Sequence, residues 1–198
     1  FSKSDILASD LYMPDGDASR KAAEYLDGMM RKQDSAGGIV ECIVKGIPAG
    51  LGEPVFDKLD AGLAKAVMSI GAVKGVEIGA GFRVSAMSGS QNNDEYEMSD
   101  GDVVKRTNNS GGVTGGMSDG ADIILRAAFK PTPSIAATQR TVNKNGENIE
   151  IHIKGRHDPV IVPRAVVVVE AMTGITVADM LLKNMTANLD NVRKVYCR

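Results

Sequence analysis

The chain has 198 residues, of which 43% are hydrophobic, and it carries a formal net charge of −2. This length and apolar content suit a soluble globular domain with a substantial core, while the near-neutral charge and the absence of tryptophan argue against a nucleic-acid partner. The two distant cysteines, Cys42 and Cys197, favour neither disulfides nor a thiolate metal site, so no metal is predicted. No apolar run approaches the length of a membrane span, and we expect a cytoplasmic protein without membrane contact.

The first part of the sequence alternates helical and strand patterns. Asp17 is placed to cap a helix whose apolar residues recur at steps of three and four. Alternation predicts a half-buried strand in residues 39–47, a helical apolar stripe follows in residues 56–70, and a second strand is predicted over residues 73–78. This order predicts helices packed against sheets.

Residues 88–120 are rich in Gly, Ser, Asn and Asp and predict a long flexible loop. Structureless loops of this length inside a compact domain are usually functional or disordered, so we expect it to be poorly ordered without its ligand. Alternating strands follow in residues 123–129 and 149–153, and a long apolar helix begins near Pro163.

A cation, an imidazole and a carboxylate stand side by side at Arg156, His157 and Asp158. They join a strand pattern to the last helix, and side chains at such boundaries converge on clefts more readily than those within elements. The tripeptide alone is more typical of a solvated turn with a local ion pair.

Five segments together resemble the chorismate synthase family. They are residues 46–56, 69–79, 111–120, 130–134 and 155–159, in this order, with Arg164 and Glu170 completing the last signature. Each segment alone is weak evidence, but the evidence from independent matches multiplies when they occur in register. The resemblance spans almost the whole chain and favours a functional interpretation of the Arg-His-Asp turn.

The resemblance implies an α+β fold, a β-α-β sandwich with helices packed between antiparallel sheets, assembled as a homotetramer. It also implies anti 1,4-elimination of phosphate from 5-enolpyruvylshikimate 3-phosphate to give chorismate, in the shikimate pathway of aromatic amino acid biosynthesis. The family's reaction needs reduced FMN; whether NADPH or an external reductant supplies the electrons stays open.

The resemblance further implies roles for individual residues. Asp158 matches a proton-relay aspartate that contacts substrate, and Arg156 matches a residue at both flavin and substrate. Gly71, where the family often has Asn, can offer only its backbone to the cofactor. His157 is interpreted as structural and His152 as solvated. The remaining matches to flavin-binding positions are Ala72, Gly115, Lys130, Pro131, Thr132, Pro133 and Ser134, the last five around the ribityl phosphate.

Nothing in residues 1–37 matches the N-terminal portion of the family, which carries two catalytic histidines and several substrate-binding arginines. We therefore expect a C-terminal part of a chorismate synthase domain that is inactive by itself. Two alternatives remain open: a flavin-binding module without turnover, and a non-catalytic oligomerisation domain. FMN titration and phosphate release would distinguish them.

Overall fold

A computed structural model describes residues 1–155 and 157–197, without the side chain of Asp102. About two fifths of the chain is helical and one fifth is strand. The helices are α1 Lys3–Leu7, α2 Gly16–Arg31, α3 Leu59–Met68, α4 Gly89–Asn92, α5 Val162–Thr186 and α6 Leu189–Tyr196, with 3-10 turns at Val55–Asp57 and Gly81–Ala86. The strands are β1 Gly38–Val44, β2 Val73–Ile78, β3 Tyr96–Ser99, β4 Asp102–Lys105, β5 Val113–Thr114, β6 Met117–Ser118, β7 Ile123–Phe129, β8 Gln139–Val142 and β9 Asn148–Ile151.

The chain divides into two compact units. Unit 1 consists of Phe1–Val40 and Ala128–Val166, and unit 2 consists of Glu41–Ala127 and Val167–Arg198. Each unit is therefore built from two separate stretches of sequence.

The core of unit 2 is formed where a sheet and two helices bury their apolar faces. The sheet has the strand order β1-β7-β2, and every second residue of the central β7 is buried, as a pleated strand requires. From α3, Leu59, Leu63 and Val67 are fully buried, at the four-residue spacing of one helix face. The predicted positions of β2 and β7 are confirmed, and α3 lies within its predicted range.

Helix α5 has the length and composition of a membrane-spanning segment, with a mean hydropathy of 1.9, although we predicted no such run. This is weak support for a membrane span, because core helices of soluble proteins pass the same test. Within unit 2, the helix buries Val169, Thr173 and Val177 along one face. One stripe of the helix is therefore buried in unit 2, whereas apolar side chains on its other faces, such as Ile175 and Leu182, are exposed.

The segment predicted as a structureless loop, residues 88–120, contains regular structure. Helix α4 is followed by the antiparallel hairpins β3–β4 and β5–β6. The prediction of a structureless loop was wrong. These short elements have no apolar periodicity that a sequence pattern could reveal. They are instead connected by polar side chains, including Lys105, which pairs with both Asp94 and Asp119. That residues 88–120 are poorly ordered without a ligand stays a prediction.

Unit 1 contains α1, α2 and the antiparallel β8–β9 hairpin. The N-cap of α2 is Asp15, whose carboxylate accepts a hydrogen bond of 2.9 Å from the Ala18 N–H, and not Asp17 as predicted. Asp17 lies one residue inside the first turn, where it pairs with Arg20 at 3.1 Å. Both aspartates suit the positive end of the helix, so composition alone did not distinguish them.

Candidate functional site

The segment predicted to bind phosphate, residues 130–134, follows the end of β7 in unit 1. Two of its carbonyl groups have donors: the Ser35 hydroxyl donates to the Thr132 carbonyl at 2.7 Å, and the Ile135 N–H and the Gln139 amide donate to the Pro133 carbonyl at 3.1 and 3.0 Å. Lys130 is exposed and has no ion pair with any residue that the structure describes. The segment therefore presents a cation, while the carbonyls of Thr132 and Pro133 are occupied.

The hydroxyl of Thr132 is buried and has no hydrogen-bond partner within the described part of the chain. Leaving a buried hydroxyl unpaired costs roughly 1–3 kcal/mol. A phosphate oxygen is an acceptor for such a group, and Lys130 and the Ser134 hydroxyl add a charge and a second donor. The donor set of this segment fits the ribityl phosphate of FMN.

The predicted proton-relay residue, Asp158, is held by a two-point ion pair. Arg164 places its Nη1 2.9 Å from Oδ2 and its Nη2 3.3 Å from Oδ1 of this carboxylate. The Asp158 side chain is 32% exposed and that of Arg164 is 73% exposed. The guanidinium fork thus fixes the plane of the carboxylate while leaving part of it open to solvent or ligand.

The two histidines of the chain occupy different surroundings. The Nε2 atom of His157 lies 3.1 Å from the Ile153 carbonyl, so the half-buried ring ties the turn before Asp158 to the preceding chain. His152 is exposed. These positions agree with a structural role for His157 and a solvated His152.

Residues 33–37 connect the two predicted parts of the site in unit 1. Ser35 binds Thr132 as described, and the next residue, Ala36, donates its N–H to the Pro159 carbonyl at 2.7 Å and pairs with Val160 as a short parallel bridge. The segment 130–134 and the turn containing Asp158 therefore contact two consecutive residues, Ser35 and Ala36. Sequence reasoning missed Ser35, because its partner is 97 positions away and no local pattern indicates such a contact.

The other predicted flavin contacts lie in unit 2. Gly71 and Ala72 form the turn between α3 and β2, with Ala72 at a φ of +72°. Gly115 is exposed in the β5–β6 turn, and its φ of +63° favours glycine there. The carbonyl of the adjacent Gly116 accepts a hydrogen bond from the N–H of Leu59, the first residue of α3. Gly71 and Ala72 follow the other end of this helix, so its length, roughly 15 Å, separates them from Gly115. Arg156 lies outside the described residues.

Two cavities in unit 2 were not predicted. One of about 380 Å³ is lined by Glu41, Arg83 and the Glu77–Arg126 ion pair, whose atoms are 2.7 Å apart. The other, of about 490 Å³, is lined in part by Lys183. Of the predicted site residues that the structure describes, none lines either cavity. The described flavin-contact residues therefore lie outside both cavities.

These features define a mixed α+β chain with a polar turn suited to phosphate. A family model described as chorismate synthase matches residues 2–182, and the chain belongs to the chorismate synthase family. A chorismate synthase of Agathobacter rectalis is 61% identical over 99% of this chain and 53% of its own length. One of Methanosarcina mazei is 57% identical over 86% of this chain and 47% of its own length.

A crystal structure of chorismate synthase, 34% identical, matches with a TM-score of 0.76 over 92% of this chain and 48% of that chain. The predicted family and its α+β fold are confirmed. The chain spans about half the length of the curated relatives it matches.

Proposed function

We propose that residues 1–198 form part of a chorismate synthase domain, a carbon–oxygen lyase that eliminates phosphate from 5-enolpyruvylshikimate 3-phosphate to give chorismate. Family membership over residues 2–182 supports this assignment. Because the chain covers only about half of its relatives, we propose that turnover also needs the half that it does not cover.

The observation that carries the proposal is the unpaired, buried hydroxyl of Thr132 in the turn that the resemblance assigns to the ribityl phosphate. Thr132 and Ser134 donate to phosphate oxygens, and Lys130 neutralises their charge. Pro131 and Pro133 restrict the backbone between these donors, which lowers the entropy lost on binding. Reduced FMN, when bound, supplies electron density as the substrate's phosphate leaves.

Asp158 accepts a proton, and Arg164 keeps the acceptor oxygen in a fixed direction. The two-point contact with Arg164 supports this role, because a carboxylate with a fixed plane offers its free lone pairs at a constant angle. Arg156 binds an anionic group of flavin or substrate. Gly71, Ala72 and Gly115 contact the flavin through their backbones.

The assembled enzyme is proposed to be a cytoplasmic homotetramer without nucleic-acid or membrane partners, with its flavin reduced by NADPH or by an external reductant. The 198-residue chain alone is proposed to be inactive. If the chain alone binds FMN but a completed enzyme releases no phosphate, it is a flavin-binding module. If neither binds FMN, an oligomerisation domain is the better description.

The deciding experiment joins this chain to the part of the Agathobacter rectalis enzyme that it does not cover, and measures chorismate formation with reduced FMN. In this chimera, Asp158→Asn should reduce kcat by roughly 100- to 10,000-fold, the usual contribution of a positioned acid or base, with an unchanged Kd for FMN. The amide keeps the volume of the carboxylate and one of its two hydrogen-bond acceptors, but it cannot accept the proton. His152→Gln, at an exposed position, is the control and should behave as the parent.

Near-normal turnover of the Asn variant would remove Asp158 from the chemistry. Loss of FMN binding in the same variant would instead make Asp158 a structural anchor. A chimera that folds and binds FMN without forming chorismate would contradict the proposed function itself.

A further inference from the structure

Ser35 makes a contact that none of the predicted roles uses. Its hydroxyl donates to the Thr132 carbonyl at 2.7 Å, and the Ser35 side chain is partly buried. The Ser35 N–H is held by its neighbour, the Asp34 carboxylate, at 2.8 Å. The hydroxyl is thus fixed on the backbone of the residue whose own side chain carries the unpaired hydroxyl.

The segment 130–134 needs such an external donor. Pro131 and Pro133 have no N–H group, so the backbone donors of this segment are restricted to Lys130, Thr132 and Ser134. A free carbonyl oxygen turned toward a phosphate would repel it. Ser35 holds the Thr132 carbonyl in one direction. The orientation of the hydroxyl groups of Thr132 and Ser134 depends on the direction of this carbonyl.

The residues after Ser35 connect the same segment to the turn of Asp158. The Ala36 N–H donates to the Pro159 carbonyl at 2.7 Å. At Gly37 an added Cβ would lie 2.5 Å from the Phe129 carbonyl oxygen and 3.2 Å from Pro131 Cδ. No side chain therefore fits between Gly37 and the segment that contains these two residues. Residues 35–37 therefore contact both the segment 130–134 and the turn that contains Asp158.

We propose that Ser35 is a positioning residue for phosphate recognition: through the Thr132 carbonyl it sets the direction of the donors in residues 130–134. This inference rests on the proposed function, and it adds a residue and a ligand group. The specific consequence is that Ser35 governs the affinity for the phosphate of FMN and not for the isoalloxazine ring.

The test compares FMN with riboflavin, which has the same ring system and lacks the phosphate. In the chimera described above, Ser35→Ala should raise the Kd for FMN about fivefold, since one hydrogen bond contributes roughly 0.5–1.5 kcal/mol net. The Kd for riboflavin should change less than twofold. Ser35→Thr restores the hydroxyl and should restore the preference for FMN.

A matched control is Ser19→Ala, which removes another side-chain hydrogen bond of unit 1, the 2.8 Å contact between Ser9 and Ser19. It should leave both affinities unchanged. If Ser35→Ala does not fold, Ser35→Cys keeps the size and supplies only a weak donor, and it should lower the FMN preference by a smaller factor.

The outcomes separate the two proposals. If the parent binds FMN no more tightly than riboflavin, the phosphate site is wrong and the role of Ser35 fails with it. If the parent prefers FMN and Ser35→Ala keeps the preference, only the role of Ser35 is overturned. If Ser35→Ala weakens the binding of FMN and riboflavin equally, the role of Ser35 is also overturned, because that result indicates a general loss of structure.

Discussion

Lys105 is expected to be essential for the stability of the segment 88–120. Its Nζ atom lies 3.6 Å from Asp94 Oδ2, contacts Asp119 Oδ2, and donates to the Ser110 hydroxyl at 2.8 Å. The side chains of Lys105, Asp94 and Asp119 are only 6%, 8% and 10% exposed. One cation therefore balances two buried carboxylates that lie 25 residues apart in the sequence.

The variant Lys105→Met leaves both carboxylates without a counter-charge. At 3.6 Å, and with an effective dielectric constant of about 20, the Lys105–Asp94 attraction alone is about 4–5 kcal/mol. Part of it is offset because the variant no longer buries an ammonium group. We expect the free energy of unfolding to fall by roughly 3 kcal/mol at pH 7, the low end for breaking a buried pair. Urea unfolding followed by circular dichroism measures it.

The neighbouring cation provides the control. Arg106 contacts Glu95 and Glu97, and these three side chains are 52–62% exposed. Arg106→Met should therefore cost less than about 1 kcal/mol. A Lys105→Met variant within 1 kcal/mol of the parent would refute the reasoning.

The pH dependence gives a second check. Burial raises the pKa of Asp94, but hydrogen bonds from the Ser110 backbone, the Thr107 hydroxyl and the Asn109 backbone outweigh it and hold that pKa well below its usual range. For Asp119, burial also raises the pKa, and hydrogen bonds led by that from Lys105 lower it further than burial raises it.

A lowered folded-state pKa gives stability that is fully present above the unfolded-state value, about 3.9, and is lost as pH falls toward the folded-state value. Lys105 helps to lower the pKa of Asp119, so in its absence this lowering is smaller. The difference in unfolding free energy between the parent and Lys105→Met should therefore shrink as the pH falls from 7 to below the unfolded-state pKa. A difference that grows on acidification contradicts the assignment.

Two further predictions concern packing. Leu63→Ala, at a fully buried position of α3, should lower the free energy of unfolding by about 3 kcal/mol, whereas Met68→Ala, at a position 48% exposed, should cost less than about 1 kcal/mol; urea unfolding compares them. Gly37→Ala should destabilise by about 1–3 kcal/mol because its Cβ has no room, while Gly28→Ala, in α2 with nothing within 4 Å, should stabilise by about 0.5–1 kcal/mol. Thermal unfolding with shifts of equal sign for both glycines would contradict the packing argument.

The elements predicted best from the sequence are those whose burial is periodic. Strand β7 matches its predicted range because Ile123, Leu125 and Ala127 are buried and alternate with half-buried residues. Helix α3 was likewise indicated by its apolar stripe, although Phe56, assigned to the same stripe, is 88% exposed in a 3-10 turn. Periodicity reports which residues are apolar and does not report where a helix begins.

The elements that were missed depend on polar contacts between distant residues. The hairpins of residues 88–120 have side chains that are mostly exposed, and Asp94 accepts hydrogen bonds from Thr107, Asn109 and Ser110, 13 to 16 positions away. Composition classes such residues as a loop because they bury little apolar surface. The site residues were proposed through family resemblance, and no periodic pattern would have selected Thr132 or Asp158.

The contrast between these two kinds of contact bears on how the proposed site can be tested. The largest losses of stability are expected in the apolar core around α3 and β7 and in the buried Lys105 cluster, where single changes should cost several kcal/mol. The proposed site residues Lys130 and Asp158 are exposed or partly exposed, and an ion pair as open as Asp158–Arg164 contributes at most about 1 kcal/mol. Its two-point geometry is therefore better explained by orientation of the carboxylate than by stability. Substitutions at this site should alter ligand binding or turnover while the chain stays folded, so that a loss of function there reports on chemistry.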